Sequence, residues 1–292
     1  MRFGLIGTGF WADVCHAAAL AATEGVEFVG VWGRNADAAA ALAGKHGVRA
    51  FADPDELLAE VDGLSFAVPP DVQAPIAIRA AAAGKHLLLE KPIALALSDA
   101  DALVEAAEQG GAATLVFVTN RFMPAIADWV EEAGRHEWRG ATGNWICSPL
   151  SDPGGDFARS DWRWARGALW DVGPHALSLI LPLMGEVEAI EAVAGTGDLV
   201  ALTLRHRGGG LTTLSMTLRA PQGADLTDLR LWGGAGVTSK PDGDQRANET
   251  LSIALTELVR LAGAADKRHP CDVRFGREIV RILETAERSL TH

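Results

Sequence analysis

The stretch R2-F-G-L-I-G-T-G-F-W-A12 decides how this chain is read. After Arg2, the residues Phe3 to Ile6 form a short apolar run suited to a buried strand. Gly7, Gly9 and Ala12 then follow at the spacing G-x-G-x-x-A, and an alanine-rich helical segment comes next. Such a turn can cradle a dinucleotide. The first glycine allows a tight exit from the strand, the second lets a pyrophosphate approach the backbone, and the small third residue lets the helix pack closely. The N-terminus of that helix offers unpaired N–H groups and partial positive charge to the phosphate. The segment from Gly7 through Thr8, Gly9 and Phe10 to Trp11 is therefore the candidate pyrophosphate site. The same pattern also suits a ligand-free turn, so the context has to decide.

Beyond this turn, apolar runs alternate with helical ones. VEFVGVWG, GLSFAVP, HLLLEKP and ATLVFVTN read as strands, and NADAAAALAGKHG, ADPDELLAE, VQAPIAIRAAAAG and LSDADALVEAAEQG as helices. Ser98 is the expected cap of the last of these and Gly110 its stop. This alternation predicts βαβ units with a parallel sheet. After Asn120 the texture changes. A helix in MPAIADWVEEAG precedes a Trp- and Gly-rich stretch, Trp138 to Trp170, with little periodicity. Four alternating runs follow: EAIEAVAG, DLVALTLRHRG, GLTTLSMTLRAP and TDLRLWGG. These predict a mainly antiparallel sheet. The expected fold is α/β: a dinucleotide-binding domain over 1–119, then an α+β domain with an open sheet over 120–292. The final helix, about 273–290, is free to pack back on the first domain.

The second expected strand ends in Trp32, Gly33, Arg34 and Asn35, with no carboxylate to hold ribose hydroxyls. Arg34 suits a 2′-phosphate, which leans the reading toward NADP over NAD. An arginine stacked on adenine is the alternative. Glu90, Lys91 and Pro92 follow a buried strand, where ligands of open α/β sheets gather. A lysine there can hydrogen-bond a hydroxyl or carbonyl, and Pro92 can follow a cis bond. An exposed lysine after a strand is the plainer alternative. Asp171 and His175, four residues apart, would share one face of a helix's first turn, with His175 exchanging a proton near neutral pH. The alternative is Asp171 as a simple N-cap.

Composition narrows the classes. The chain has 292 residues and a net charge of -12, which disfavours nucleic acid and anionic membranes as partners. No apolar run approaches a membrane span. A strand starting at Arg2 leaves no room for a leader. The three cysteines, Cys15, Cys147 and Cys271, suit a reducing cytoplasm, each as a small buried hydrophobe. No metal spacing is present. Tyrosine is absent, which removes a tyrosine acid from the mechanism, while tryptophan occurs nine times.

GLIGTGFWA, AVPPDVQAPIAIRAAAAGKHLLLEKPIA, VTNRF and GALWDVGPHALSLI, in this order, resemble the Gfo/Idh/MocA oxidoreductases. The E-K-P element and the later D-x-G-x-H (Asp171, Gly173, His175) carry most of the resemblance. It implies NAD(P)-dependent hydride transfer at a carbon bearing a hydroxyl, on a sugar, cyclitol or similar small molecule, and a homo-oligomer through the second domain's sheet. It implies that Lys91 contacts substrate and nicotinamide, His175 is the acid/base and Asp171 supports it. Pro69, Pro70 and Gln73 fall on the implied cofactor loop, with Glu90 and Asn35 beside the cofactor. Asn120 and Arg121 match the entry to the second domain. Arg163 and Trp164 are further candidates for substrate contact, with a core or interface role as their alternative. Arg166 can meet an acidic substrate group or lie on the surface. A silent cofactor-binding sensor, and a reductase of non-sugar carbonyls or imines, are the competing functions.

Overall fold

A computed structural model describes residues 1–152, 154–158, 160–243 and 245–290. The chain divides into two compact units. The first is 1–122 with 245–280, and the second is 123–244 with 281–292. The expected division at residue 120 thus accounts for one crossing only. Residues 245–280 return to the first unit, and the last helix, Val273–Leu290, gives its first half to one unit and its second half to the other.

The first unit is built on six parallel strands: β1 (Arg2–Ile6), β2 (Glu27–Trp32), β3 (Arg49–Phe51), β4 (Gly63–Phe66), β5 (His86–Glu90) and β6 (Thr114–Phe117). Their order, β3-β2-β1-β4-β5-β6, is that of a doubly wound dinucleotide-binding sheet. β1, β4 and β6 are buried along nearly their whole length, as parallel strands covered on both faces must be. Helix Ala36–His46 closes on Gly47 in the left-handed conformation (φ 67°). Helix Pro54–Glu60 is capped by Asp53, whose carboxylate accepts the Asp55 N–H. Two expected boundaries shift. Helix Leu97–Gly110 starts one residue before Ser98, with Ala96 at the cap, and Gly111 (φ 65°) rather than Gly110 ends it. Helix Ala247–Ala262, not read from the sequence, packs on Ala18–Ala22 in this unit. The segment after it is tied to β6, where Val116 N–H donates to Cys271 O at 2.7 Å.

The second unit carries a mixed sheet in the order β12-β11-β7-β10-β9-β8. Its strands are β7 (Trp138–Ile146), β8 (Val187–Ala194), β9 (Val200–His206), β10 (Leu211–Thr217), β11 (Leu226–Gly233) and β12 (Gly236–Ser239). The β7–β10 pair is parallel and the rest are antiparallel. β7 corrects the reading of 138–170 as aperiodic, and it lies inside the sheet. Glycines carry its pattern: a Cβ on Gly140 would lie 2.4 Å from the Trp232 ring, and one on Gly143 2.9 Å from Asp228 O. The Trp232 ring fills the first place, and Asp228 O, the Trp145 ring and Leu214 crowd the second, so no hydrophobic alternation appears at these positions of β7. Leu202, Leu204, Leu214, Met216, Leu229 and Leu231 form the buried face, and helices Asp161–Asp171 and Gly173–Met184 pack in this unit.

Candidate active site

In the first unit, the turn after β1 is held from both sides. Gly7 N–H donates to Trp32 O at 2.8 Å, and Ala67 N–H donates to Ile6 O at 2.8 Å. Gly7 has φ +137°, and a Cβ there would lie 2.4 Å from Ala67 O. Only glycine fits both demands. At Gly9 a Cβ would meet nothing within 4 Å, so the backbone faces open space. Phe10 and Trp11 open the following helix and Ala12 is fully buried against the unit's core. A strained, side-chain-free elbow with open space before a helix N-terminus fits a pyrophosphate.

That helix is not regular. Ala12–Ala17 forms a π-type turn before α geometry resumes at Ala18. On an α-helix, residues five apart project about 140° from each other. The wider turn brings Trp11 and His16 onto one group, Glu90 at the end of β5. Trp11 Nε1–H donates to Glu90 Oε1 at 2.7 Å, and His16 Nε2 lies 3.1 Å from the same oxygen. His16 Nδ1 bonds Ser65 Oγ of β4 at 2.8 Å. His16 and Ser65 are fully buried. Burial opposes charge on Glu90, but the His16 hydrogen bond and charge, the Lys91 charge and the Trp11 hydrogen bond outweigh it. Its carboxyl is held below the ordinary value. The sequence reading missed His16 and Ser65. Their only signal was a lone polar residue inside an apolar run, which a solvated face explains equally well.

Lys91 follows Glu90, is half-buried, and precedes Pro92 through a cis peptide bond. Gln73 grips this strand end. Its Oε1 accepts the Glu90 N–H at 2.8 Å, and its Nε2 donates to Glu90 O at 2.8 Å and Pro92 O at 3.2 Å. Gln73 lies on a helix and not on the expected loop. Pro69 caps helix Pro70–Ala82 and Pro70 opens it, where a missing N–H costs nothing, so Gln73 sits buried on the first turn. Asn120 and Arg121 lie in a short 3₁₀ turn, Thr119–Phe122, after β6.

At the end of β2, Arg34 is exposed and makes no hydrogen bond or ion pair among the described residues. Asn35 Oδ1 is committed to capping helix Ala36–His46 through Ala38 N–H. A Cβ on Gly33 would lie 2.4 Å from Thr8 Cγ2. The side chain of Thr8 thus fills the space where an acidic residue at 33 would start.

In the second unit, Asp171 and His175 do not share a first turn, which corrects the sequence expectation. Asp171 is the last residue of helix Asp161–Asp171, and His175 lies in the first turn of helix Gly173–Met184, with Pro174 tolerated at its start. Asp171 is buried and its Oδ2 accepts from Arg163 Nε at 3.1 Å. Arg163 also stacks over Phe157 and Trp162, at 4.8 and 5.1 Å from the ring centroids. Arg166 is tied to both oxygens of Glu287, at 2.9 and 3.1 Å. Trp164 is 42% exposed, with Nε1–H donating to Ala158 O and Arg219 over its ring. Among the described residues no group of His, Cys, Asp and Glu is arranged to hold a metal ion.

Two family models match. Residues 1–118 match the model described as an oxidoreductase family, NAD-binding Rossmann fold, and residues 136–238 match the Gfo/Idh/MocA C-terminal domain. The chain belongs to the Gfo/Idh/MocA oxidoreductase family. An uncharacterized oxidoreductase of Rhizobium meliloti is 31% identical over 73% of this chain and 67% of its own length. Inositol 2-dehydrogenase of Rhizobium meliloti strain 1021 is 30% identical over 82% of this chain and 75% of its own. The solved structure of UDP-N-acetylglucosamine 3-dehydrogenase from Acidithiobacillus ferrooxidans superposes with a TM-score of 0.84. It is 25% identical and covers 99% of this chain and 97% of that one. As a member of this family the chain is an oxidoreductase whose first unit carries an NAD-binding Rossmann fold.

Proposed function

We propose that this oxidoreductase is a dehydrogenase acting on a hydroxyl of a sugar, cyclitol or similar small molecule, with NADP as its preferred cofactor. The observation that carries the reading is Lys91. It is half-buried, gripped at the carboxyl end of β5, and follows the strand whose last residue bonds the glycine elbow's Trp11. The relatives named above support the substrate class, since they act on an inositol and on a nucleotide-linked amino sugar.

When bound, the nicotinamide supplies the hydride acceptor. The chain supplies the rest. The N–H groups after Gly9 bind the pyrophosphate. Lys91 donates a hydrogen bond to the substrate oxygen and stabilises negative charge developing there. His175 takes the hydroxyl proton, and Asp171, steadied by Arg163, supports that histidine. Pro69, Pro70, Glu90 and Asn120 border the cofactor. Arg121, Arg163 and Trp164 are proposed to border the substrate, Arg163 through Asp171 rather than as a free cation.

The lean toward NADP rests on Arg34, which has no hydrogen bond or ion pair among the described residues, and on Thr8 filling the space beside Gly33. A homo-oligomer through the second sheet is part of the same reading. It rests on Leu211, Leu226, Trp232 and Val237, all exposed in that sheet. A cytoplasmic location is supported by Cys15 and Cys271, both buried as thiols.

The test is reduction of NADP⁺ and NAD⁺ with a panel of myo-inositol, levoglucosan, glucose 6-phosphate and UDP-N-acetylglucosamine. Turnover of a polyhydroxylated compound is expected. Lys91→Ala and His175→Ala should each lose on the order of a hundred- to ten-thousandfold in kcat, with cofactor affinity changed less than about threefold, under 1 kcal/mol. Cofactor binding without reduction across polyol, keto and aromatic panels would instead favour a sensor. Full activity in either variant would remove that residue from the mechanism.

A further inference from the structure

The polar cluster beneath the elbow has a role that binding alone does not explain. Three donors from two separate segments converge on the single carboxylate of Glu90. Oε1 receives Trp11 Nε1–H and faces His16 Nε2, and Oε2 accepts the backbone N–H of Lys91 at 3.2 Å. An ionised carboxylate only accepts, so His16 Nε2 donates in this contact. His16 is itself pinned by Ser65 on β4 and by an edge-on contact with Phe117 on β6, with ring centroids 6.3 Å apart. From the other side Gln73 holds the N–H and C=O of Glu90 and the C=O of Pro92. The peptide unit carrying Lys91 is thus clamped on both sides. One clamp also holds the indole of the cofactor elbow.

We propose that Glu90 and His16 are positioning residues: His16 fixes the Glu90 carboxylate, and that carboxylate ties the cofactor elbow, through Trp11, to the backbone of Lys91. The inference rests on the reading of Lys91 as a functional residue given above. It adds that the lysine and the elbow are set in place by one group, so disturbance of either reaches the other. An amide cannot replace the carboxylate. It offers one accepting oxygen for three donors, and its NH₂ would face a donor.

The test reads Lys91 directly in the full-length protein, free of substrate. Acylation by a limiting N-hydroxysuccinimide ester is followed lysine by lysine by peptide mass spectrometry. Lys240 and Lys267 serve as internal controls, since their ammonium groups bond the carbonyls of Pro241 and Gly111, away from the cluster. Glu90→Gln and His16→Leu are each expected to raise the Lys91 rate at least threefold with both controls unchanged. His16→Gln, which keeps a donor, should return it toward the parent rate. The double variant His16→Leu/Glu90→Gln should exceed neither single one, because His16 acts through Glu90. Where His16→Leu fails to fold, Trp11→Phe, which deletes one bond, is read instead and should also raise the Lys91 rate.

NADPH titration by fluorescence gives the second arm: Glu90→Gln should weaken binding at least threefold. An unchanged Lys91 rate in folded Glu90→Gln, or additive effects in the double variant, would overturn the proposal. Labelling needs no turnover, so failure of the substrate panel with positive labelling would sink the dehydrogenase reading and leave the clamp standing.

Discussion

Arg34 and Glu90 show two uses of charge at residue scale. Arg34 is exposed and uncommitted among the described residues, so its value lies in what it can meet. Charge-assisted bidentate contact with a phosphate is worth more than a neutral hydrogen bond, though water screens an exposed site. Arg34→Ala is expected to weaken NADPH about tenfold, roughly 1.4 kcal/mol, and to leave NADH within about twofold of the parent. Calorimetry of both cofactors checks it, and equal losses would remove the NADP preference. Glu90 is committed and half-buried, and its carboxyl is held below the ordinary value of 4.5. A group lowered on folding stabilises the protein above its unfolded value, and that contribution is lost as pH falls through the folded value. Urea midpoints of the parent should therefore fall from pH 4.5 downward more steeply than those of Glu90→Gln. Parallel curves would show that Glu90 is not ionised in the fold. The buried cysteines are silent by comparison: burial raises Cys15, and Cys271 is pushed up to about 11, so neither is a thiolate near neutrality.

At the scale of elements, the first unit's helices meet through glycine. A Cβ on Gly110, at the end of helix Leu97–Gly110, would lie 1.9 Å from Ala81 O on helix Pro70–Ala82. A backbone oxygen cannot swing aside as a side-chain tip can. Gly110→Ala is expected to cost about 1–3 kcal/mol, the usual range for overpacking, measured as a urea midpoint at constant slope. An unchanged midpoint would mean that the two helices can slide apart freely. The same chemistry explains what could be read in advance. β1 and its elbow were legible because an apolar run, two glycines and a helix follow in one short stretch. The Glu90–Lys91–Pro92 element was legible because it ends an apolar run that opens after Gly84. β7 was not, because Gly140 and Gly143 leave their places to Trp232 and Trp145. The split between Asp171 and His175 was hidden because a kink at Gly167 (φ 63°) and a fresh start at Gly173 both lie inside one helix-like pattern. The convergence of Trp11 and His16 was hidden because it depends on a π turn, and the α spacing points them apart.

At the scale of the whole molecule, the second sheet presents one buried face and one open one. Trp232 lies over Gly140 on the open side and is 48% exposed, with Leu211, Leu226 and Val237 also exposed in this sheet. Apolar exposure of this kind marks interaction surfaces. Light scattering is expected to give a mass above the 30.7 kDa of one chain, and Trp232→Glu to lower it without loss of helix content. A parent that runs as a single chain would end that part of the reading. Among the described residues no helix is long and apolar enough to cross a membrane.

The return of residues 245–280 to the first unit has a consequence for anyone who recombines such proteins. A single-cut fragment ending at Phe122 lacks the segment whose Cys271 carbonyl takes the Val116 N–H and whose Gly276 nestles against Ile93 and Val116. Exchanging the second unit between members of this architecture therefore calls for two crossovers, treating 123–244 as a cassette set into an uninterrupted host. The closing helix contributes to both modules, so a chimera has to settle which parent supplies each half of it.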